Sequence, residues 1–540
     1  MNTPYTARTP DIILYNGSTG NNLSVKSLAV LNGRIVATGS NDQVRELAGR
    51  GTVSIDLEGR LVLPGFIDTH IHFHEWALKR RELQLSQITS LEELLACVAR
   101  EVSVRDRGQW VTGQGWNETD WQERRMPTRE ILDSVAPDNP VVLWRCDLHL
   151  AVANSAALKK AHIQAGTPDP PQGRIERDES GEPNGILREL AINLIRDVID
   201  PPKTDQVAIA YKEATDVLYR LGITGIHDIR LMDDNDGGSA LQTFQELDSS
   251  KQLGLRSWVT LPGHRLDDII NLGIRTGFGN DRLRIGHVKF FTDGGVGART
   301  AWMVDPYLDA DRGMPLIDMS ELADEIQKAD AAGLSVMVHA IGDRANREVI
   351  TIFERLYEQK HKCNSVNLCY PHRIEHLQVI RPEDVNRLGK MPLALGVTPA
   401  NMLLDINLID TALGDQGAWA YSFRRLMDTG LPVMFSSDCP VCDPDPLLGI
   451  HAAVTRQRQD GTPLAGWYPE SRVMVSEAVK AYTSVPAMVH GAKDLGSIAL
   501  NSRADLAVFS RDFLSTQPDD ILKSQVDMTL FDGKIVYRNF

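Results

Sequence analysis

The sequence predicts an α/β chain built on a (β/α)8 barrel, with a small β module made from both chain ends and a long insertion after the first barrel strand. Three observations carry this. Eight apolar runs of strand length alternate with amphipathic helical segments, short hairpin-bounded strands stand at both termini, and one interval between runs is far too long for a single helix. A chain of 540 residues exceeds one ordinary domain, and 42% apolar with 24% charged residues is the balance of a chain that buries a large core.

The N-terminal segment reads as short strands in DIILYNG (11–17), SLAVLNGRIVATGS (27–40) and TVSIDLEGRLVLPG (52–65). Asn32-Gly33 supplies a hairpin turn, because both residue types accept positive φ. SRADLAVFS (502–510) and DMTLFDGKIVY (527–537), with Asp532-Gly533, repeat the pattern at the other end. The two ends are expected to complete one sheet together.

The eight barrel runs, expected within 63–494, are 65–73, 222–229, 255–261, 283–294, 334–343, 372–378, 392–399 and 432–438. Amphipathic segments at 206–221, 237–252, 320–332 and 344–358 supply connecting helices. Residues 80–205, rich in Trp, Asp and Pro, form the insertion. Leaving a barrel strand at its C-terminal end, it is expected to make a lid or substrate pocket.

A net charge of −15 repels polyanions, so a small molecule is the expected partner rather than nucleic acid or an anionic membrane, and a homodimer is compatible with the reading. The N-terminus has no apolar leader segment, and no stretch approaches the roughly 20 apolar residues of a membrane span, so a cytoplasmic location is expected. Six cysteines in so long a chain do not form a disulfide framework. Cys439 and Cys442 make an isolated CxxC without the second pair that a zinc knuckle needs.

His70 and His72 end the first run, and the two-residue period of a strand puts both imidazoles on one side. An HxH alone also occurs among core histidines. Here, however, His339, His376 and Asp438 end the fifth, sixth and eighth runs, where barrel side chains meet in one mouth. Nitrogen and carboxylate donors from separate strands suit a catalytic zinc that keeps one position for water. Lys289 in the fourth run would be a costly buried charge if it faces inward. Reaction of its amine with carbon dioxide would make it an anionic carbamate able to bridge two zinc ions. A surface lysine or a plain ion pair is the alternative.

LPGFIDTHIHF, VKFFTDGGVGARTA (288–301), VHAIGDRA (338–345), RIEHLQ and SSDCPV (436–441) resemble the ordered motifs of the amidohydrolase superfamily. The closer resemblance is to its YtcJ-like branch, which includes N-substituted formamide deformylases. The resemblance covers about residues 11–537. It implies His70, His72, His339, His376 and Asp438 as metal ligands and carbamylated Lys289 as a bridge, holding one or two Zn2+ per chain. It also implies a β-sandwich from residues 1–62 plus 495–540. The implied activity is cleavage of a non-peptide carbon–nitrogen bond, an amide or an N-formyl or N-acyl group, by zinc-activated water, with Asp438, His339 and His376 catalytic. Deamination of a cyclic or imine compound is the alternative, and a lyase, an isomerase or an inactive binding protein on the same scaffold are further ones. The branch usually carries Trp after the catalytic aspartate; Cys439 stands there, so the pocket beside the metal is expected to differ.

Four placements stay open at this point. His227 either assists at the carbonyl or packs as a structural histidine. Trp116 and His149 either contact substrate or belong to the insertion's own core. Asp343 and Arg344 either orient ligands or cap the next helix, and Asp293 is divided between supporting a ligand and making a turn.

Overall fold

A computed structural model describes residues 9–19, 25–118, 121–145, 150–170, 173–200, 202–230, 238–362 and 368–540. The chain forms two compact units, residues 1–76 with 212–540, and residues 77–211.

The larger unit is built on eight parallel strands, each hydrogen-bonded to its sequence neighbours. They are β1 (Phe66–Ile71), β2 (Ile223–Asp228), β3 (Arg256–Pro262), β4 (Leu283–Phe291), β5 (Val336–Ala340), β6 (Arg373–His376), β7 (Ala394–Val397) and β8 (Val433–Phe435). They fall in the eight predicted runs, in order. Each strand is covered by helices outside and barrel side chains inside, so it reads as a continuous apolar run rather than an alternating one; β2 is buried along its whole length. The ring closes between β8 and β1. Asp438 N–H donates to the His70 carbonyl at 2.8 Å, His72 N–H to the Cys439 carbonyl at 2.9 Å, and Thr69 Oγ1 to the Phe435 carbonyl at 3.1 Å.

Outside the ring run α1 (Thr204–Arg220), α2 (Ser239–Ser249), α3 (Met319–Ala331), α4 (Asp343–Lys362) and α5 (Pro399–Leu413). Asp318 caps α3, its carboxylate accepting from the Ser320 and Glu321 amides at 2.8 and 3.2 Å. Along α4 the buried residues Val349, Ile350, Phe353 and Leu356 recur at helical spacing and face the barrel wall.

The chain ends form two four-stranded sheets, the expected sandwich, and the two ends share one of those sheets. Strands 12–15, 27–31, 34–39 and 53–56 make one, while Leu61–Pro64 pairs with 506–509, 526–531 and 534–538 in the other. A single wide sheet would leave its apolar face wet. Folded as a sandwich, Leu14, Val30, Ile55, Leu506, Val508 and Leu530 share one core. The two hairpin turns have positive φ at Asn32 and Gly33 and at Asp532 and Gly533, as a type I′ turn requires. Arg256, at the start of β3, ties barrel to sandwich: its NH2 lies 3.0 Å from Asp505 Oδ1, and both side chains are buried.

Residues 77–211 form a six-stranded sheet with its own core. One face packs Trp116, Trp121, Leu143 and Val152 beneath Leu94 and Val98 of the helix Leu91–Ser103. The other packs Val142, Ala151 and Leu187 beneath Leu158, Ile192 and Ile195. Among the described residues no helix is long and apolar enough to cross a membrane.

Candidate metal centre

β1 delivers His70, and the turn that follows it delivers His72. His70 Nδ1 lies 2.7 Å from Glu375 Oε2, and His72 Nδ1 lies 3.0 Å from the Ile229 carbonyl. An acceptor on each Nδ1 fixes the ring hydrogen there, so each Nε2 presents a lone pair. Both Nε2 atoms face the same oxygen: Asp438 Oδ1 is 3.5 Å from His70 and 3.3 Å from His72. The donor atoms of these three residues all lie within 4.8 Å of one another. His376 continues the cluster with its ring centroid 5.0 Å from that of His70, and His339 follows 4.4 Å from His376.

Burial disfavours charge on these imidazoles. It pushes His70 down to about 3 and His376 to about 4, and holds His339 well below the ordinary histidine range. All three are therefore neutral at neutral pH. Burial alone would raise Asp438, but its contact with the His72 imidazole, with His70 and His376 close by, outweighs it and holds the carboxyl well below the usual range. Neutral nitrogens gathered around an ionised carboxylate fit a divalent cation. Two buried atoms beside them, His339 Nε2 and Lys289 Nζ, have no protein hydrogen-bond partner, as expected of groups made to meet a cation or its bridging ligand. Lys289 is inward-facing and buried on β4, its Nζ 4.8 Å from the Phe291 ring centre, and burial pushes its amine down to about 8.

The surrounding loops are tied to this cluster. Asp293 accepts from the Ile341, Gly342 and Trp302 amides at 3.0, 2.8 and 2.8 Å, and its Oδ1 stands 3.8 Å from His339 Nε2. It therefore joins the turns after β4 and β5 and supports the His339 end as well. Asp343 accepts from Val304 N–H at 2.7 Å and Arg381 Nε at 2.6 Å, which makes it a loop anchor at the start of α4. Arg344 pairs along α4 with Glu348. Cys439 is buried with its thiol pushed up by burial, and Cys442 is raised to about 12; both are free thiols.

Two predicted substrate contacts are corrected. Trp116 is fully buried in the core of the insertion, its indole N–H donating to the Leu143 carbonyl at 3.1 Å, so no face is left for a ligand. His227 is buried inside the barrel, where its Nδ1 meets Arg373 NH1 at 2.7 Å and its ring lies 3.9 Å from that of His490. The structural alternative holds for both. His149 lies outside the described residues.

Sequence reasoning missed Asn401 and Glu375. Asn401, on α5, reaches Asp438 Oδ2 with Nδ2 at 3.4 Å. Glu375 precedes His376 in RIEH, and simple alternation would aim the two to opposite sides. A left-handed backbone at His376, φ 70°, turns the histidine toward the mouth while Glu375 keeps the barrel interior.

Comparison with known proteins agrees with this architecture. The model of the amidohydrolase family matches residues 54–537. A putative amidohydrolase, YtcJ, of Bacillus subtilis (strain 168) is 31% identical over 95% of this chain and 96% of its own. The N-substituted formamide deformylase of Arthrobacter pascens is 28% identical over 96% of this chain and 95% of its own. A crystal structure of an uncharacterized metal-dependent hydrolase from Pyrococcus furiosus superposes with a TM-score of 0.76 at 29% identity, covering 93% of this chain and all of that one. With that match running through the strands that carry the His and Asp donors, the chain belongs to the amidohydrolase family and is a metal-dependent hydrolase of carbon–nitrogen bonds.

Proposed function

We propose that the chain hydrolyses an amide bond of a small molecule, an N-formyl or N-acyl group, at a zinc centre. His70, His72 and Asp438 would hold the cation, with His339, His376 and carbamylated Lys289 completing a second position. The observation that carries this is the convergence of the His70 and His72 Nε2 lone pairs on Asp438 Oδ1. The likeness to a protein named N-substituted formamide deformylase supports the N-formyl class.

When bound, zinc supplies Lewis-acid polarisation of a carbonyl and a water acidic enough to attack near neutral pH. Asp438, ionised in its buried setting, takes the proton of the attacking water on its carboxylate and returns it to the departing nitrogen, so the amine leaves neutral. Asn401 donates toward Oδ2 and thereby keeps Oδ1 turned to the histidine pair. The neutral histidines keep their lone pairs available through the same pH range.

The test is metal analysis followed by a screen of the zinc-replete protein against N-formyl, N-acyl and cyclic amide compounds, read by mass spectrometry in 18O-labelled water. Release of amine and a carboxylate carrying the label is expected. Ammonia as the only nitrogen product would move the reading to deamination. Turnover without label, or absence of metal with activity unaffected by chelators, would refute it.

A further inference from the structure

We infer that Glu375, held in place by Arg373 and His227, is a positioning residue that sets how tightly the centre binds its metal through His70. The inference rests on the reading of the mouth as a metal site. Four side chains make one continuous buried strut across β1, β6 and β2. His70 Nδ1 meets Glu375 Oε2 at 2.7 Å, Glu375 Oε1 meets Arg373 Nε at 2.9 Å, and Arg373 NH1 meets His227 Nδ1 at 2.7 Å. Arg373 NH2 adds a bond to the Thr69 carbonyl at 3.1 Å, on the same strand as His70. None of the four is more than 1% exposed, so water competes for none of these bonds.

The chemistry leaves each hydrogen one place. A guanidinium only donates, so His227 must accept at Nδ1 and carry its hydrogen on Nε2. Arg373 and Glu375 balance in charge, which keeps the carboxylate ionised in a dry interior. An ionised Glu375 then only accepts, so His70 carries its hydrogen on Nδ1 and offers Nε2 to the metal. A carboxylate on the far side of a ligating imidazole also makes that nitrogen a stronger donor.

The neighbouring strand is shaped around this carboxylate. A Cβ added at Gly396 on β7 would fall 2.3 Å from Glu375 Oε2 and 2.6 Å from Oε1. Glycine there leaves the space that the carboxylate fills. His227 is thus the far anchor of the strut, which accounts for a buried histidine in the second strand that the reaction does not use.

The test compares zinc affinity by chelator competition, and the visible spectrum of the cobalt-substituted protein, in wild type, Glu375→Gln and Gly396→Ala. Glu375→Gln keeps the shape but loses the charge, and Gly396→Ala keeps every polar group but displaces the carboxylate. Each is expected to weaken zinc binding by about 10- to 100-fold and to shift the cobalt spectrum, whereas a purely structural role would leave the spectrum of the folded protein unmoved. Folded variants with wild-type affinity and spectrum overturn the inference. If neither variant folds, the histidine 15N spectrum of metal-free wild type decides. His70 with its hydrogen on Nδ1 supports the inference, and hydrogen on Nε2 overturns it. A wild type that takes up no zinc overturns the metal reading itself.

Discussion

Lys289 gives the sharpest quantitative prediction. Only a neutral amine reacts with carbon dioxide: the Nζ lone pair attacks the carbon, the nitrogen loses one proton, and an anionic carbamate remains. Burial lowers the amine from 10.5 to about 8, a bias of about 3 kcal/mol against the ammonium form. At pH 8 about half of the chains then carry a neutral Lys289, against about 0.3% for a lysine at its ordinary value, roughly a 150-fold gain in reactive amine. The neutral fraction itself grows as pH rises toward 8, because the amine loses its proton over that range. At fixed dissolved carbon dioxide, the labelling rate should increase about tenfold per pH unit below about 8 and level off above it. The assay is 13C NMR of zinc-loaded protein prepared with 13C-bicarbonate, with Lys289→Met as the control that assigns the signal. A carbamate resonance present in wild type and absent in Lys289→Met is expected, together with a fall from two zinc ions per chain to one. Equal zinc content in the two proteins and no signal that depends on Lys289 would refute the carbamate.

Three further outcomes follow from the geometry. Asp438→Asn should lower kcat by about 10²- to 10⁴-fold, or about 3–5 kcal/mol of barrier, while zinc stays on the histidines, because the amide cannot take up the proton; a near wild-type rate in a metal-loaded mutant would remove Asp438 from proton transfer. Trp116→Phe should remove the indole bond to the Leu143 carbonyl in the insertion's core and cost about 0.5–1.5 kcal/mol in denaturant unfolding with KM unchanged, whereas a raised KM at wild-type stability would restore Trp116 as a substrate contact. Arg256→Met should strand the buried Asp505 carboxylate between barrel and sandwich and cost about 3–5 kcal/mol; an unchanged Tm would show that the pair contributes nothing there.

The barrel was legible because its strands are buried on both faces, so each appears as an apolar run between amphipathic helices, and eight such runs suffice to close a ring. The candidate metal donors stood out for a related reason: a histidine or aspartate at the end of an apolar run has no bland role as easily as one on a helix surface. What stayed hidden depends on tertiary facts that periodicity does not encode. Alternation tells which face of a strand is buried but not which sheet it joins, so the division of the N-terminal strands between two sheets, with Leu61–Pro64 paired to 506–509, was not legible. An aromatic residue has the same composition signature in a core as in a pocket, and Trp116 was decided only by the packing around it. His227 shows the same limit in depth: the run reveals that it faces inward, not that Arg373 occupies it. Glu375 was masked by the positive φ of the residue beside it.

That backbone feature recurs at Asp438. His376 and Asp438 both adopt left-handed conformations, with φ of 70° and 58°, at the ends of β6 and β8. Such a conformation costs of order 1 kcal/mol or more for a residue other than glycine, and Asp and His are among the types that tolerate it best. It persists because bonds between adjacent strand ends hold it: Leu377 N–H donates to the Ala340 carbonyl at 3.1 Å and Asp438 N–H to the His70 carbonyl at 2.8 Å. On the β1 side, Asp68 accepts from Ser437 Oγ at 2.5 Å and from the Ser437 amide at 3.2 Å. The bonds that close the ring between β8 and β1 are therefore the same bonds that place Asp438 against His70 and His72. The barrel's closure therefore serves the proposed metal centre as much as it serves the fold.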